Sequence, residues 1–253
     1  MLKNVMQNLA ETLGYTILPT WRVAGLPLAN CLREIFVSRN ISTVIDVGAN
    51  KGQYRNFLRN QVGFRGRIVS FEPLPELAAN LKTRAAADGN WTVHARALGA
   101  ATGELSLNVM AASVFSSFLQ PREGASFAAQ NAVMRTEIVP VSTLDAEFPD
   151  SEVLRTTFLK LDTQGFDLEV LRGAPVSAGI IPALQSEVSF EPIYENMPAY
   201  HEAMAEFGRH GFAVADMFLV NQNECGIAVE FDCVMVRGAV ADGINPGSAD
   251  SRR

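Results

Sequence analysis

The sequence predicts an α/β fold in which helices cover both faces of a mostly parallel sheet. Short apolar, β-branched segments alternate with segments of helical periodicity along the chain, and strands joined by helices run parallel. The first of these strands, residues 43–47, leads into a glycine-containing loop at residues 48–52. Open α/β sheets bind ligands at such carboxyl ends of strands. The length of 253 residues suits one large domain.

The first forty residues have helical spacing, with Leu9 and Leu13 on one face and Leu32 and Phe36 on another. We therefore expect residues 1–40 to form a helical cap on the main domain. A lid over the binding site and a dimer surface are the alternatives.

The main domain is expected to span residues 41–237, because strand and helix patterns follow one another throughout it. Pro75 and Pro198 stand where helices are expected to begin, and Gly211 where the last helix ends. The final two strands, separated by Asn223 and Gly226, are expected to form an antiparallel hairpin. Residues 238–253 are rich in Gly, Ala, Asp and Ser, which predicts a disordered tail. The expected strands after the first are residues 67–72, 91–98, 104–109, 137–141, 156–162, 183–190, 212–220 and 231–236.

The composition excludes several classes of protein. A formal net charge of −6 argues against a general nucleic-acid binder, which needs surplus Lys and Arg. The three cysteines, Cys31, Cys225 and Cys233, include no closely spaced pair, so neither a disulfide framework nor a zinc site is expected. No apolar run is long enough to span a bilayer, and the N-terminus does not read as a signal peptide. We expect a cytoplasmic protein, and homo-oligomer formation is left open.

The loop after the first strand is the most informative motif. Asp46 occupies the position of the first glycine in a G-x-G-x-x-G dinucleotide-binding loop, followed by Gly48 and Gly52. A carboxylate at this place repels a pyrophosphate and suits a ligand that has an ammonium group and no phosphate. Glu72 ends the next strand, where an acid can accept hydrogen bonds from both hydroxyls of a ribose. The pattern therefore predicts a nucleoside-type ligand such as S-adenosylmethionine.

These residues resemble the FkbM family of methyltransferases over residues 41–236. The most family-specific segment is L-K-L-D-T-Q-G-F-D-L-E-V-L-R-G-A at residues 159–174. Further matching segments are residues 45–53 (I-D-V-G-A-N-K-G-Q), 71–75, 97–99, 116–117, 141–145, 194–198 and 211–212.

The resemblance implies a Rossmann-like class I methyltransferase fold with seven strands, the last antiparallel, and S-adenosylmethionine as methyl donor. It also implies O-methylation of a hydroxyl on a sugar, glycolipid, polysaccharide or related natural product. The cofactor-binding residues implied by the matching motifs are Asp46, Gly48, Asn50, Gly52, Gln53, Glu72 and Ala97.

Two carboxylates are candidates for the catalytic role. A sugar hydroxyl is a weak nucleophile and gains from a general base or a cation. Asp162 follows a buried strand at the expected reaction face, and capping the next helix is its alternative role. Glu187 lies in a strand expected nearby, with a structural hydrogen bond as its alternative. Lys160 is expected to point away from Asp162. A carboxylate-bound magnesium ion on Asp162 and Glu187 is also left open.

Acceptor recognition is assigned to the segment after the strand at residues 183–190. Glu191 can accept hydrogen bonds and the ring of Tyr194 can stack on a sugar, whereas a plain loop with Tyr194 in the core is the alternative. Two other classes of function stay open on the residues alone: a non-catalytic nucleoside-binding module and an NAD(P)-dependent oxidoreductase. The missing G-x-G-x-x-G loop argues against the oxidoreductase.

Overall fold

A computed structural model describes residues 12–15, 19–125 and 132–238. Its main element is a seven-stranded sheet in which strands and helices alternate along the chain, as expected. The strands of this sheet are β1 (Thr43–Val47), β2 (Arg67–Phe71), β3 (Trp91–His94), β7 (Thr157–Leu161), β8 (Ala183–Ser189), β9 (Phe212–Gln222) and β10 (Ala228–Arg237).

Helices and short helical turns connect these strands. They are α1 (Thr20–Val23), α2 (Leu26–Ser38), α3 (Gln53–Phe57) with a π-helical turn (Leu58–Val62), α4 (Pro75–Asp88), α5 (Leu144–Glu147), α6 (Ser151–Leu154), α7 (Asp167–Arg172), α8 (Ser177–Ile180) and α9 (Tyr200–Arg209). None of the described helices combines the length and apolar character needed to cross a bilayer.

The strand order is β3-β2-β1-β7-β8-β10-β9. All pairs from β3 to β8 are parallel, and β10 lies antiparallel between β8 and β9. The expected sheet, with its antiparallel last strand and terminal hairpin, is confirmed. Because β1 lies beside both β2 and β7, their carboxyl ends meet at one edge of the sheet.

A second, three-stranded sheet has the order β4-β6-β5, built from β4 (Ala97–Leu98), β5 (Gly103–Met110) and β6 (Val133–Ser142). The single strand expected at residues 91–98 was wrong. The chain pairs with β2 as far as His94 and then joins β6 through Ala97 and Leu98. Both halves are apolar and extended, so the pattern alone does not show that the chain changes sheets.

Side-chain alternation along the central strands gives the large sheet two apolar faces. One face packs against α7, α8 and α9, through residues such as Leu171 and Phe207. The opposite face packs against α2, the π-helical turn and α4, through residues such as Leu32 and Leu81. Within the expected N-terminal cap, α2 therefore belongs to the core of the main domain, whereas Leu13, Trp21 and Val23 are exposed. Residues 1–11 and 16–18 of that cap and residues 239–253 of the expected tail lie outside the described residues.

Candidate functional site

A cleft with an empty volume of about 850 Å³ opens where β1, β2 and β7 end. This volume includes the space that is open to solvent at the mouth of the cleft. One wall consists of the segment around the 3₁₀ turn Ser113–Phe115, including Ser116 and Phe118. Leu98 and Leu107 add apolar surface from the small sheet. The cleft therefore combines an apolar side with the polar ends of three strands.

Gly48 allows the ends of β1 and β7 to approach each other. Its φ is +86°, and a Cβ at this position would lie 2.0 Å from the backbone oxygen of Asp162. The N–H groups of Gly48 and Ala49 both donate to the carbonyl of Phe71, at 3.0 and 3.1 Å. The loop after β1 is thus fixed against β2 on one side and β7 on the other.

Backbone N–H groups hold Glu72. The N–H of Asn50 donates to Oε2 at 2.7 Å and the N–H of Leu74 donates to Oε1 at 2.9 Å. The side chain is buried, and burial raises the pKa of Glu72 to about 7 although both N–H donors oppose that shift. Each carboxylate oxygen retains a free lone pair for a ligand hydroxyl.

Asp46 lies at the base of the same cleft and is 1% exposed. The hydroxyl of Ser70 donates to its Oδ2 at 2.9 Å, and Trp91 Nε1 donates to that hydroxyl at 2.9 Å. Burial raises the pKa of Asp46 to about 6, while the charge of Lys160 and the Ser70 hydrogen bond oppose the rise. A cationic ligand group beside Asp46 would stabilise its ionised form.

The other residues assigned to cofactor binding separate into two groups. Asn50, Gln53 and Ala97 line the cleft together with Asp46, Gly48 and Glu72. Gly52, in contrast, does not line it; its φ of +76° places it directly before α3, where it lets the loop turn into the helix.

Lys160 and Asp162 form an ion pair, so the expectation that Lys160 points away was wrong. Lys160 Nζ lies 2.9 Å from Asp162 Oδ2. Positions two apart in an extended chain share one face of the sheet, which is why these side chains meet. Burial alone would lower the pKa of Lys160, but the charges of Asp162, Asp232 and Glu187 outweigh it and hold that pKa above its usual range. The ammonium group also faces the Tyr54 ring, 5.3 Å from its centroid.

Glu187 lies beside Asp162, as the sequence suggested, and Gln164 connects the two. Gln164 Nε2 donates to Glu187 Oε2 at 2.7 Å and to Asp162 Oδ1 at 3.3 Å. Burial, then repulsion from Asp162, raises the pKa of Glu187 well above its usual range. Asp162 lines the cleft, and its side chain is 39% exposed.

A magnesium site on these two carboxylates gains no support. Within the described parts of the chain, no group of three or more His, Cys, Asp or Glu side chains is arranged to hold a metal ion. The Lys160 ammonium group and the Gln164 carboxamide already occupy the positions next to Asp162.

The two residues assigned to acceptor recognition lie apart from the cleft. Tyr194 is 1% exposed, and its hydroxyl donates to the Phe115 carbonyl and to Gln164 Oε1, at 2.7 and 2.9 Å. Its ring therefore offers no face for stacking on a sugar, and its position matches the alternative of a core residue. Glu191 is absent from the cleft lining and lies 3.5 Å from Asn223 Nδ2.

A chain of polar side chains beside Lys160 was not predicted from the sequence. The Tyr54 hydroxyl donates to Gln185 Oε1 at 2.9 Å, and Gln185 Nε2 donates to Asp232 Oδ1 at 2.7 Å. A signal was present: Gln185 and Glu187 in β8 are polar at every second position of a strand in the middle of the sheet. Such a row on a buried face indicates a functional network.

The lining suits S-adenosylmethionine. Asp46 is a carboxylate for an ammonium group, Glu72 is one for two ribose hydroxyls, and Leu98, Leu107 and Phe118 supply an apolar side for a purine.

Known proteins are similar to this chain in sequence and in fold. The sequence profile described as Methyltransferase FkbM domain matches residues 46–214. Among solved structures, the methyltransferase FkbM from Methylobacillus flagellatus KT is similar with a TM-score of 0.50 and 16% identity, over 77% of this chain and 44% of that chain. This chain thus spans less than half of that structure, and the likeness concerns the fold.

Two further structures contain S-adenosylmethionine. Magnesium protoporphyrin IX methyltransferase from Synechocystis PCC 6803 has a TM-score of 0.45 and 10% identity, over 85% of this chain and 81% of that chain. Fibrillarin from Aeropyrum pernix has a TM-score of 0.44 and 12% identity, over 85% and 76%. A search of curated proteins gives no significant match.

Proposed function

From the premise that the chain belongs to the FkbM family of methyltransferases, we propose that it is an O-methyltransferase acting on a hydroxyl of a sugar, glycolipid, polysaccharide or related natural product. S-adenosylmethionine, when bound, supplies an electrophilic methyl group on sulfur and leaves as S-adenosylhomocysteine. The protein then has to bind the donor, orient the acceptor and remove the acceptor's proton.

The observation that supports a hydroxyl acceptor is the environment of Asp162. Its carboxylate is partly exposed in the cleft, directly beside the Gly48 loop, and is paired with the buried ammonium group of Lys160. A hydroxyl must lose its proton to become a good nucleophile, whereas a neutral amine is already one. In this proposal Asp162 accepts the hydroxyl proton, and Lys160 keeps the carboxylate in place.

A polar acceptor also suits the surroundings of Asp162. Glu187 and Asp232 lie on the same face of the sheet, and carboxylates accept hydrogen bonds from the hydroxyl groups that sugars present in number. The proposal of a sugar acceptor is thus supported by Asp162 at the cleft, while Glu187 and Asp232 lie behind the lining and are bound by Gln164 and Gln185.

The test combines binding and turnover. S-adenosylmethionine binding is measured by calorimetry, and methyl transfer is followed by S-adenosylhomocysteine release with panels of hydroxylated glycans and of amines. We expect transfer to a hydroxylated acceptor. In Asp162→Asn we expect a kcat loss of about 100-fold or more with the Kd for S-adenosylmethionine changed less than threefold. Glu152→Gln, at an exposed carboxylate, is the matched control.

Two results would overturn the proposal. Methylation of amines alone, insensitive to Asp162→Asn, would replace the hydroxyl by a nitrogen acceptor. Tight cofactor binding without turnover on either panel would favour a non-catalytic nucleoside-binding module.

A further inference from the structure

Gln164 occupies a position that the proposed reaction does not yet use. Its carboxamide lies between two carboxyl groups, with Nε2 donating to both Glu187 and Asp162, as described above. On its other side, Oε1 accepts from the hydroxyl of the buried Tyr194 at 2.9 Å. Its backbone carbonyl accepts from the Ser117 hydroxyl at 2.7 Å. Three other segments of the chain, at Ser117, Glu187 and Tyr194, therefore fix this one residue.

The backbone at Gln164 is unusual in a way that matches this role. Its φ is +53°, the left-handed region that residues other than Gly and Asn rarely adopt. Asn would fit that backbone better, but its side chain is one methylene shorter. Glutamine is therefore explained by what the side chain reaches, not by local backbone preference.

The chemical consequence follows from the charges around it. Glu187 and Asp162 both accept a hydrogen bond from Gln164 Nε2. Two carboxyl groups that lie near each other tend to share one proton. The charged groups that face them are Lys160 on β7 and Glu230 and Asp232 on β10. A carboxamide has an N–H for each carboxylate but no proton to give up. It therefore keeps the two carboxyl groups apart and leaves Asp162 free to accept a proton from elsewhere.

We propose that Gln164 is a positioning residue, which separates Asp162 from Glu187 and orients Asp162 toward the acceptor, with Tyr194 fixing the orientation of its carboxamide. The inference rests on the proposed function, since it assumes that Asp162 is the base. The buried Tyr194 then does not contact the acceptor. Its hydroxyl acts only through the carboxamide of Gln164.

The kinetic experiment uses two variants that tolerate the left-handed backbone. Gln164→Asn keeps an amide that is too short to contact both carboxyl groups, and Gln164→Gly removes the side chain without backbone strain. We expect each to lower kcat by about 10- to 100-fold, with the KM for acceptor within about threefold, and to move the acidic limb of the kcat pH profile upward. The control is Gln222→Asn, at an exposed glutamine on the edge strand β9.

A second measurement needs no acceptor. With ¹³C-labelled glutamate, the Glu187 carboxyl resonance is assigned through Glu187→Gln and titrated by NMR in the chain without ligand. Loss of the Gln164 donor is expected to raise the midpoint of Glu187 by about one pH unit in both Gln164 variants. Wild-type protein that transfers no methyl group to hydroxyls would refute the proposed function, and this titration would still decide the role of Gln164. An unchanged midpoint in both variants would overturn the inference, whatever the kinetics show.

Discussion

At the β1–β2 end of the cleft, backbone N–H groups hold the principal carboxylate, whereas at the β7–β10 end side chains hold one another. Glu72 accepts from the N–H groups of Asn50 and Leu74, both within a short stretch of sequence. At the other end, Asp162 and Glu187 are connected through Gln164 across two strands.

This difference in how the carboxylates are held determines the effect of mutations. A backbone N–H group remains when the side chain at its position is substituted, whereas a hydrogen bond from a side chain is lost. A substitution at Leu74 leaves its N–H beside Glu72, but a substitution at Gln164 removes both of its donors. The two ends should respond differently to mutation, pH and ligand.

The largest effect is expected where the two ends touch. In Gly48→Ala the new Cβ would meet the Asp162 carbonyl at 2.0 Å, so β1 and β7 must move apart. We expect the free energy of unfolding to fall by about 3 kcal/mol or more, since a backbone clash adds to the cost of a positive φ. Urea unfolding measures this loss. Gly63→Ala, with a φ of +82° and no atom within 4 Å of a new Cβ, should cost only about 1 kcal/mol. Equal losses would show that no contact joins the two ends.

A substitution confined to the β1–β2 end should act on the cofactor alone. The Glu72 carboxylate accepts hydrogen bonds from two backbone N–H groups. In Glu72→Gln the side-chain NH₂ group would face one of these N–H groups, so that two donors oppose each other. We expect S-adenosylmethionine to bind about 30-fold more weakly by calorimetry, as for loss of a charge-assisted hydrogen bond. Unchanged affinity would remove Glu72 from the cofactor site.

The same carboxylate predicts how affinity depends on pH. Burial raises the pKa of Glu72 to about 7, so the ionised form that accepts ribose hydroxyls is lost as pH falls through 7. Binding of S-adenosylmethionine should therefore strengthen about tenfold from pH 6 to pH 8. Asp46, with a pKa of about 6, adds to the same trend at the lower end. Glu72→Gln should flatten the profile; an affinity that falls toward pH 8 would contradict this sign.

The contacts at the β1–β2 end are easier to predict from the sequence than those at the β7–β10 end, because they are local in the chain. Asp46, Gly48 and Glu72 lie in one strand–loop–helix–strand unit, where local patterns decide which residues meet. The mostly parallel sheet, the terminal hairpin and the β1–β2 carboxylates were predictable from such patterns, whereas the seven strands with an antiparallel last strand were implied by the resemblance to the FkbM family. The break between β3 and β4 was not, because it depends on which distant strand each half pairs with.

At the β7–β10 end, the contacts depend on register between strands far apart in sequence. Lys160 pairs with Asp46 on one side and Gln185 on the other, and no local motif shows this alignment. Tyr194 was assigned to the acceptor because its segment combines acids, an amide and an aromatic ring directly after a strand, near the expected reaction face. In the structure it lies under the wall of the cleft, where its hydroxyl reaches Phe115 and Gln164.

The smallest effect should come from a single atom at the β7–β10 end. Tyr54→Phe keeps the ring beside the Lys160 ammonium group but removes the hydroxyl that donates to Gln185. We expect the free energy of unfolding to fall by about 1 kcal/mol because Gln185 Oε1 loses its donor. Affinity for S-adenosylmethionine should change less than about twofold, since the Tyr54 hydroxyl donates to Gln185, which does not line the cleft. Urea unfolding measures the stability of this variant and calorimetry measures its affinity for S-adenosylmethionine. Tyr200→Phe, at an exposed tyrosine, is the control. A tenfold loss of cofactor affinity with unchanged stability would show that the two ends of the cleft do not act separately.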